Sequence, residues 1–236
     1  MSLESLKEKY DLIKDSTDVS EIMEFKKSLL ELTTEEAKEY HFSLLMEKKN
    51  KKFYYHLRNS FIKRGTEAEK FCLSKWDSEK DPRIKSDLLH ILGRLRSPSA
   101  LPLARGEINN NTPETLECAC YVLGWMGELG QDADLISEVL IHDKDSQIRT
   151  TAATSHDQMR MNSEHLRDKL LLSLARAFSL EKDENVLGWI ILTIQYFLGK
   201  RFGMHENIEE AELIGDVIEA KKRCARALSK LNLNYE

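Results

Sequence analysis

The sequence predicts an all-α protein: an α-solenoid of antiparallel helix pairs, about 11 to 13 helices in all. Three observations carry that expectation. Only 10 Gly and 4 Pro interrupt 236 residues, of which 32% are charged and 41% hydrophobic, so breakers are too sparse for a strand-rich chain with its frequent turns. Apolar residues recur at spacings of three and four along most of the length. A short pattern also returns. Asp81-Pro82-Arg83-Ile84, Asp145-Ser146-Gln147-Ile148 and Asp183-Glu184-Asn185-Val186 each open an apolar helical run, and Thr112-Pro113-Glu114 opens another between the first two.

Taken in order, Leu3, Leu6, Tyr10 and Ile13 make one face of a helix from Ser2 to about Lys14. Asp18-Val19-Ser20-Glu21 has the spacing of a capping box, and Ile22, Phe25, Leu29 and Leu32 line the helix behind it. Thr33 or Thr34 can cap the next helix, with Glu35 and Glu36 in its first turn and Tyr40, Leu44 and Leu45 facing inward. After Asn50 a fourth run carries Phe53, Leu57, Phe61 and Ile62 and ends at Gly65, a residue that accepts a left-handed helix end. Thr66 opens a short helix through Trp76; an acidic turn then leads to Pro82, whose missing N–H costs nothing at a first helical position.

The helix from Pro82 to Leu95 completes a two-helix unit that repeats. The further copies are Ser99–Asn109 with Pro113–Met126, Asp132–His142 with Ser146–Met159, and Ser163–Leu180 with Glu184–Leu198. Pro82 to Pro113 and Gly93 to Gly124 both span 31 residues, Thr112 to Asp145 spans 33, and Asp145 to Asp183 spans 38. A period of this size marks stacked helix pairs. A last helix is expected from about Ile208 to Leu231, apolar along Ala211, Ile214, Val217, Ile218, Ala220, Cys224, Ala227, Leu228 and Leu231 and charged outside, as a capping element should be. No linker separates domains, so 1–236 reads as one helical domain: N-terminal helices over 1–65, helix pairs over 66–198, and the capping helix within 207–236.

Asp145-x-x-Ile148-Arg149-x-x-Ala152-Ala153, with the weaker Asp81-x-x-Ile84-Lys85 and Asp183-x-x-Val186, resembles the second-helix motif of HEAT-type repeats. The resemblance implies a right-handed solenoid in which the Asp caps the second helix and the Arg bridges neighbouring units. Lys85 departs conservatively, and Leu187 replaces the basic residue. In such folds the second helices line the concave side.

Aligning the copies by the counted offsets groups Arg94, Trp125, Gln158 and Tyr196 in one column, and Asp87, Cys118, Thr151 and Trp189 in another, with His90 and Tyr121 between them. Trp, Tyr and Arg are the usual anchors of protein interfaces, although large aromatics also pack between helices. The expected partner-binding residues on this face are therefore His90, Arg94, Tyr121, Trp125, Gln158, Trp189 and Tyr196. A second candidate surface is an acidic edge of Asp77, Glu79, Asp143, Glu181 and Glu184, which would steer a basic partner. For Asp81, Asp145 and Asp183 the simpler role is helix capping. Lys48, Lys49, Lys51, Lys52, Arg58, Lys63 and Arg64 enclose Phe53, Tyr54, Tyr55 and Phe61, a pattern that nucleic-acid patches share with solvated helical turns.

Net charge is −5, the wrong sign for phosphate backbones and the right one for a basic protein partner. Four Cys without C-x-x-C spacing read as reduced, mostly buried thiols. His142-Asp143 and His156-Asp157 lack a second ligand at helical spacing, and no phosphate loop, dinucleotide fingerprint or nucleophile elbow occurs. The expectation is a non-catalytic protein-binding scaffold with no cofactor and no metal, its partner another protein and not nucleic acid, membrane or a small molecule. A bacterial immunity protein that neutralises a basic toxin such as a nuclease is the concrete case. The alternative is a HEAT-like enzyme of the bilin lyase or DNA glycosylase type, which would use the aromatic concave surface. The first nine residues lack the order of a signal peptide and no long uncharged stretch follows, so a cytoplasmic location is expected.

Overall fold

A computed structural model of the chain describes residues 2–47, 51–110, 112–207 and 212–231, without the side chains of 46, 47, 51 and 52. Among these residues the protein is all-α, with thirteen α-helices and one short hairpin. Its contacts divide it into two compact units, Met1–Ser97 and Pro98–Glu236, so the boundary falls inside the run of helix pairs.

The first unit holds α1 (Leu3–Ile13), α2 (Val19–Glu31), α3 (Glu35–Glu47), α4 (Lys51–Ile62), α5 (Thr66–Trp76) and α6 (Pro82–Arg94). Their apolar faces converge on aromatic clusters. The Tyr10, Phe25 and Phe53 ring centroids lie 5.6–5.8 Å apart, and Phe42, Phe61 and Phe71 meet at 5.2–5.7 Å, separations at which tilted rings attract. Asp18 caps α2 by accepting the Ser20 N–H, while Glu21 takes the Ser16 hydroxyl instead of closing a capping box. Gly65 ends α4 at a φ of +58° and leads directly into α5.

Arg64, read from the sequence as part of a basic patch, is structural. Its Nη1 and Nη2 donate to Leu32 O and Leu29 O at the end of α2, and its Nε donates to His41 Nδ1 at 3.1 Å. That leaves His41 Nε2–H to donate to Leu57 O at 3.0 Å, which fixes a neutral tautomer. Phe53 and Phe61 belong to the core. Lys48 and Lys49 lie outside the described residues, as do the side chains of Lys51 and Lys52.

The second unit holds α7 (Ala100–Asn110), α8 (Pro113–Met126), α9 (Gly130–His142), α10 (Ser146–Asn162), a 3-10 turn at Glu164–Leu166, α11 (Arg167–Leu180), α12 (Glu184–Leu198), β1 (His205–Asn207), β2 (Glu212–Ile214) and α13 (Val217–Leu228). It is built in two layers. The second helices pack in sequence, α8 on α10, α10 on α12 and α12 on α13, and the first helices α7, α9 and α11 form the other layer.

Small residues set the spacing of the second helices. A Cβ on Gly124 would come within 2.9 Å of Gln158 Oε1 and 3.0 Å of the Ser155 carbonyl, so α8 and α10 approach as only glycine permits. Ala152 and Ala153 are fully buried in the same layer, and Thr193 reaches from α12 to Ala153 O.

Several boundaries differ from expectation. Helix α10 runs on to Asn162, past Met159, and α11 starts at Arg167, not Ser163, because the chain first makes the 3-10 turn. Helix α9 starts at Gly130, not Asp132, because the Asp132 carboxylate sits in its first turn and accepts the N–H groups of Glu128 and Leu129. The same carboxylate, fully buried, is forked by Arg105 at 2.7 and 3.0 Å. The last helix starts at Val217, not near Ile208. Residues 205–207 and 212–214 pair as an antiparallel hairpin with His205 opposite Ile214, and the expected start at 208–211 lies outside the described residues. Gly215 makes the break: it sits at a φ of +142°, where a Cβ would collide with Gly203 O at 2.4 Å, and Asp216 then caps the helix. Leu213 covers Gly188 of α12, where a Cβ would meet its Cδ2 at 2.4 Å.

The four cysteines are buried and free, as expected, and burial pushes the Cys224 thiol up to about 12. No helix is long and apolar enough to cross a membrane among the described residues.

Burial holds three histidines neutral, with His41 and His90 pushed down to about 3 and His156 to about 4. His156 Nδ1–H donates to Ala152 O at 2.7 Å, and the Ser173 hydroxyl donates to Nε2 at 3.2 Å. As pH falls below the unfolded value near 6.5, the unfolded chain takes up protons that the folded chain refuses. Stability is therefore full above about pH 6.5 and falls as pH drops toward 4, by at most roughly 1.4 kcal/mol per pH unit for each histidine. Urea unfolding at pH 7.5, 6 and 5 should show this loss, and His156→Gln should remove one histidine's share of the slope from the second unit.

Candidate functional site

The turns that join the helices of each pair are built alike. Asp81, Asp145 and Asp183 cap α6, α10 and α12, accepting the N–H of Arg83, Gln147 and Asn185 at 2.8–2.9 Å. Two residues earlier a second acid accepts the N–H of the capping Asp itself: Glu79 for Asp81, Asp143 for Asp145 and Glu181 for Asp183, at 2.8–2.9 Å. The signal for this device is in the sequence as Glu79-Lys80-Asp81, Asp143-Lys144-Asp145 and Glu181-Lys182-Asp183, a triplet that the capping motif alone does not reveal. Thr112 is different. Its side chain makes no cap, and its carbonyl accepts the Thr115 and Leu116 N–H groups.

Arg149 ties one such turn to the next. Nε and Nη2 fork Glu181 at 2.8 and 3.1 Å, while Nη1 donates to Asp143 O and Lys144 O. Burial opposes ionisation of Glu181, but the Arg149 fork and the Asp183 and Lys182 N–H groups hold its carboxyl below the usual range. Three of the acids expected on an exposed edge, Glu79, Asp143 and Glu181, are thus turned into their own turns. Asp77 and Glu184 remain exposed.

The expected second-helix columns separate into two environments. Cys118 and Thr151 in the second unit, and Asp87 in the first, are at most 4% exposed, so this column packs between helices and is not a contact surface; Trp189 is half-buried. The other column in the second unit is partly exposed. Tyr121 and Trp125, one turn apart on α8, stack at 5.8 Å with planes 18° apart, both half-buried. On α10 Gln158 is half-buried and Met161, one turn on and outside the column, is 72% exposed. Tyr196 on α12 is 49% exposed. Between α8 and α10, Gln158 lies against Gly124, and Glu117 accepts hydrogen bonds from Gln147 and Thr151.

His90 and Arg94 sit on α6 in the first unit, within a different cluster. The Tyr54 hydroxyl donates to buried Asp87, and the Arg58 guanidinium lies 5.3 Å from the ring centres of both Tyr54 and Tyr55. His90 is half-buried and held neutral by burial and by the charges of Arg58 and Arg94; Arg94 is exposed.

One cleft in the second unit was not foreseen. It measures about 770 Å³ and lies among the C-terminal ends of α10 and α12 and the segment after α12, with Arg160, Tyr196, Lys200, Arg201 and Met204 in its wall. Gln195, 7% exposed, pins that segment: its Oε1 accepts the N–H of Phe202 and Met204, and its Nε2 donates to Met204 O. The signal was a single amide inside the apolar run from Ile190 to Leu198.

No protein-family model matches the chain, and no curated protein or solved structure is significantly similar to it.

Because Arg149 and Glu181 are both largely shielded, removing one leaves the other as an uncompensated buried charge. Arg149→Ala should lower the unfolding free energy by about 3 kcal/mol. Lys144→Ala, at an exposed position of the same turn, should change it by less than about 0.5 kcal/mol, both measured by urea denaturation.

Proposed function

We propose that this chain is a non-catalytic protein-binding scaffold of HEAT-like repeats, and that its partner docks on the outward face of α8, α10 and α12. The observation that carries the reading is the composition of that face: Trp125 stacked on Tyr121, then exposed Met161 and Tyr196 on successive, directly packed helices. Aromatic, Met and Arg side chains are enriched at interface centres. Interlocked helices also offer a surface that loses little entropy on binding.

Two features support the HEAT-like part of the reading. Asp145 caps its helix and Arg149 reaches the next turn, the two roles that the sequence motif implies. The concrete case is a bacterial immunity protein that blocks a basic toxin such as a nuclease, a task that needs a rigid complementary surface and no chemistry. The net charge of −5 suits a basic partner through long-range steering, to which exposed acids such as Glu184 contribute.

The test begins with recovery of a partner from the native host and its re-binding in purified form. Trp125→Ala with Tyr196→Ala should weaken the complex by about 100-fold or more, as expected for two interface anchors. Glu184→Gln should alter mainly the association rate and its salt dependence. Unchanged affinity in the aromatic double variant would move the docking surface elsewhere.

A further inference from the structure

We propose that the cleft at the C-terminal ends of α10 and α12 binds a small polyanion, a molecule carrying phosphate groups or several carboxylates. Its volume, about 770 Å³, falls in the range of small-molecule sites. Three basic side chains line it, Arg160, Lys200 and Arg201, against one lining carboxylate, Asp157, with Glu206 near enough to act on the Tyr196 hydroxyl, in a chain whose net charge is negative. That carboxylate is engaged: Arg160 donates Nε and Nη2 to Asp157 Oδ1 at 2.9 and 2.7 Å.

Arg160 is also held by the Phe197 ring, 5.2 Å from its guanidinium carbon. Its Nη1 has only a distant ion pair with Glu164 at 3.9 Å, beyond hydrogen-bond reach, so this edge of the fork can turn to a ligand. Leu192, Met204 and the half-exposed Tyr196 ring supply apolar wall.

Basic residues after a helix often serve only to neutralise its terminal carbonyls. Here two of the last carbonyls are met by other groups. Gln195 O accepts the N–H of Gly199 and Lys200, and Phe197 O accepts from Arg167 at 2.6 Å. Lys200 and Arg201 are exposed. The segment that carries them has a fixed shape. Gly199 and Gly203 take φ of +61° and +112°, conformations that side chains disfavour, and the buried Gln195 amide makes three hydrogen bonds to it. A loop held in advance binds at lower entropic cost.

The experiment is an amide-resolved NMR titration of the full chain with pyrophosphate and, separately, citrate. Saturable one-to-one shifts should be confined to the amides of Gly199–His205 and Asp157–Arg160 and should weaken as salt is raised. Lys200→Glu with Arg201→Glu should reduce the affinity for pyrophosphate about tenfold or more, with the melting temperature unchanged because both side chains are exposed. Absence of these shifts at about 10 mM probe, a concentration that detects even very weak binding, would overturn the proposal. So would equal binding by the double variant, or shifts produced by a hexaglutamate peptide but by neither small anion, which would make the cleft a docking point for an acidic segment. This proposal does not depend on the protein-binding role, whose failure would be read in a Trp125→Ala variant, since Trp125 does not line the cleft.

Discussion

Arg149 engages Nε, Nη1 and Nη2 to hold two turns at once: the carbonyls of Asp143 and Lys144 in its own turn and the carboxylate of Glu181 in the next. That clasp joins the start of α10 to the turn before α12, and farther along Thr193 of α12 reaches Ala153 O beside the fully buried Ala152. A planar, bidentate guanidinium suits this task where an ammonium would not. In the first unit the equivalent position is Lys85, which lies over the Trp76 ring at 5.0 Å. The repeated motif thus carries two different contacts at its basic position.

Charge in this protein is distributed less simply than its acidic composition suggests. The carboxylates concentrated at the turns are drawn inward as acceptors for backbone N–H groups, so Glu79, Asp143 and Glu181 act as parts of the turn. At the other end of the second helices, Arg160, Lys200 and Arg201 gather around a cleft. A net charge of −5 therefore predicts long-range steering but not the local field at any one place, because carboxylates that accept N–H groups within their own turns have fewer lone pairs free for a ligand.

Many of the helices were legible because they carry their own start or stop. Asp18, Asp81, Asp145 and Asp183 cap as read, and Pro82, Pro113 and Gly65 stand where their backbone chemistry suits the end of a helix. The counted offsets grouped Gln158 with Trp125, but its amide packs against Gly124 of α8. Burial at Cys118 and Thr151 was not legible, since helical spacing alone cannot tell an outward position from one pressed against the neighbouring pair. Nor was the hairpin after α12. Ile214 and Val217 fit a helical stripe, and only the positive φ at Gly215 and the collision a Cβ would make with Gly203 O show that the chain turns there. The cleft was hidden for a related reason: Gln195 reads as a lone polar residue until its bonds to Phe202 and Met204 are seen.

If the clasp and the close helix contacts make α8, α10 and α12 one cooperative element, native-state hydrogen exchange should report it directly. Core amides such as those of Leu123, Ala152 and Ile190, all fully buried, should exchange with a common opening free energy and a common dependence on denaturant. Exchange of α12 through a separate, lower-energy opening, with α8 and α10 still protected, would contradict the account.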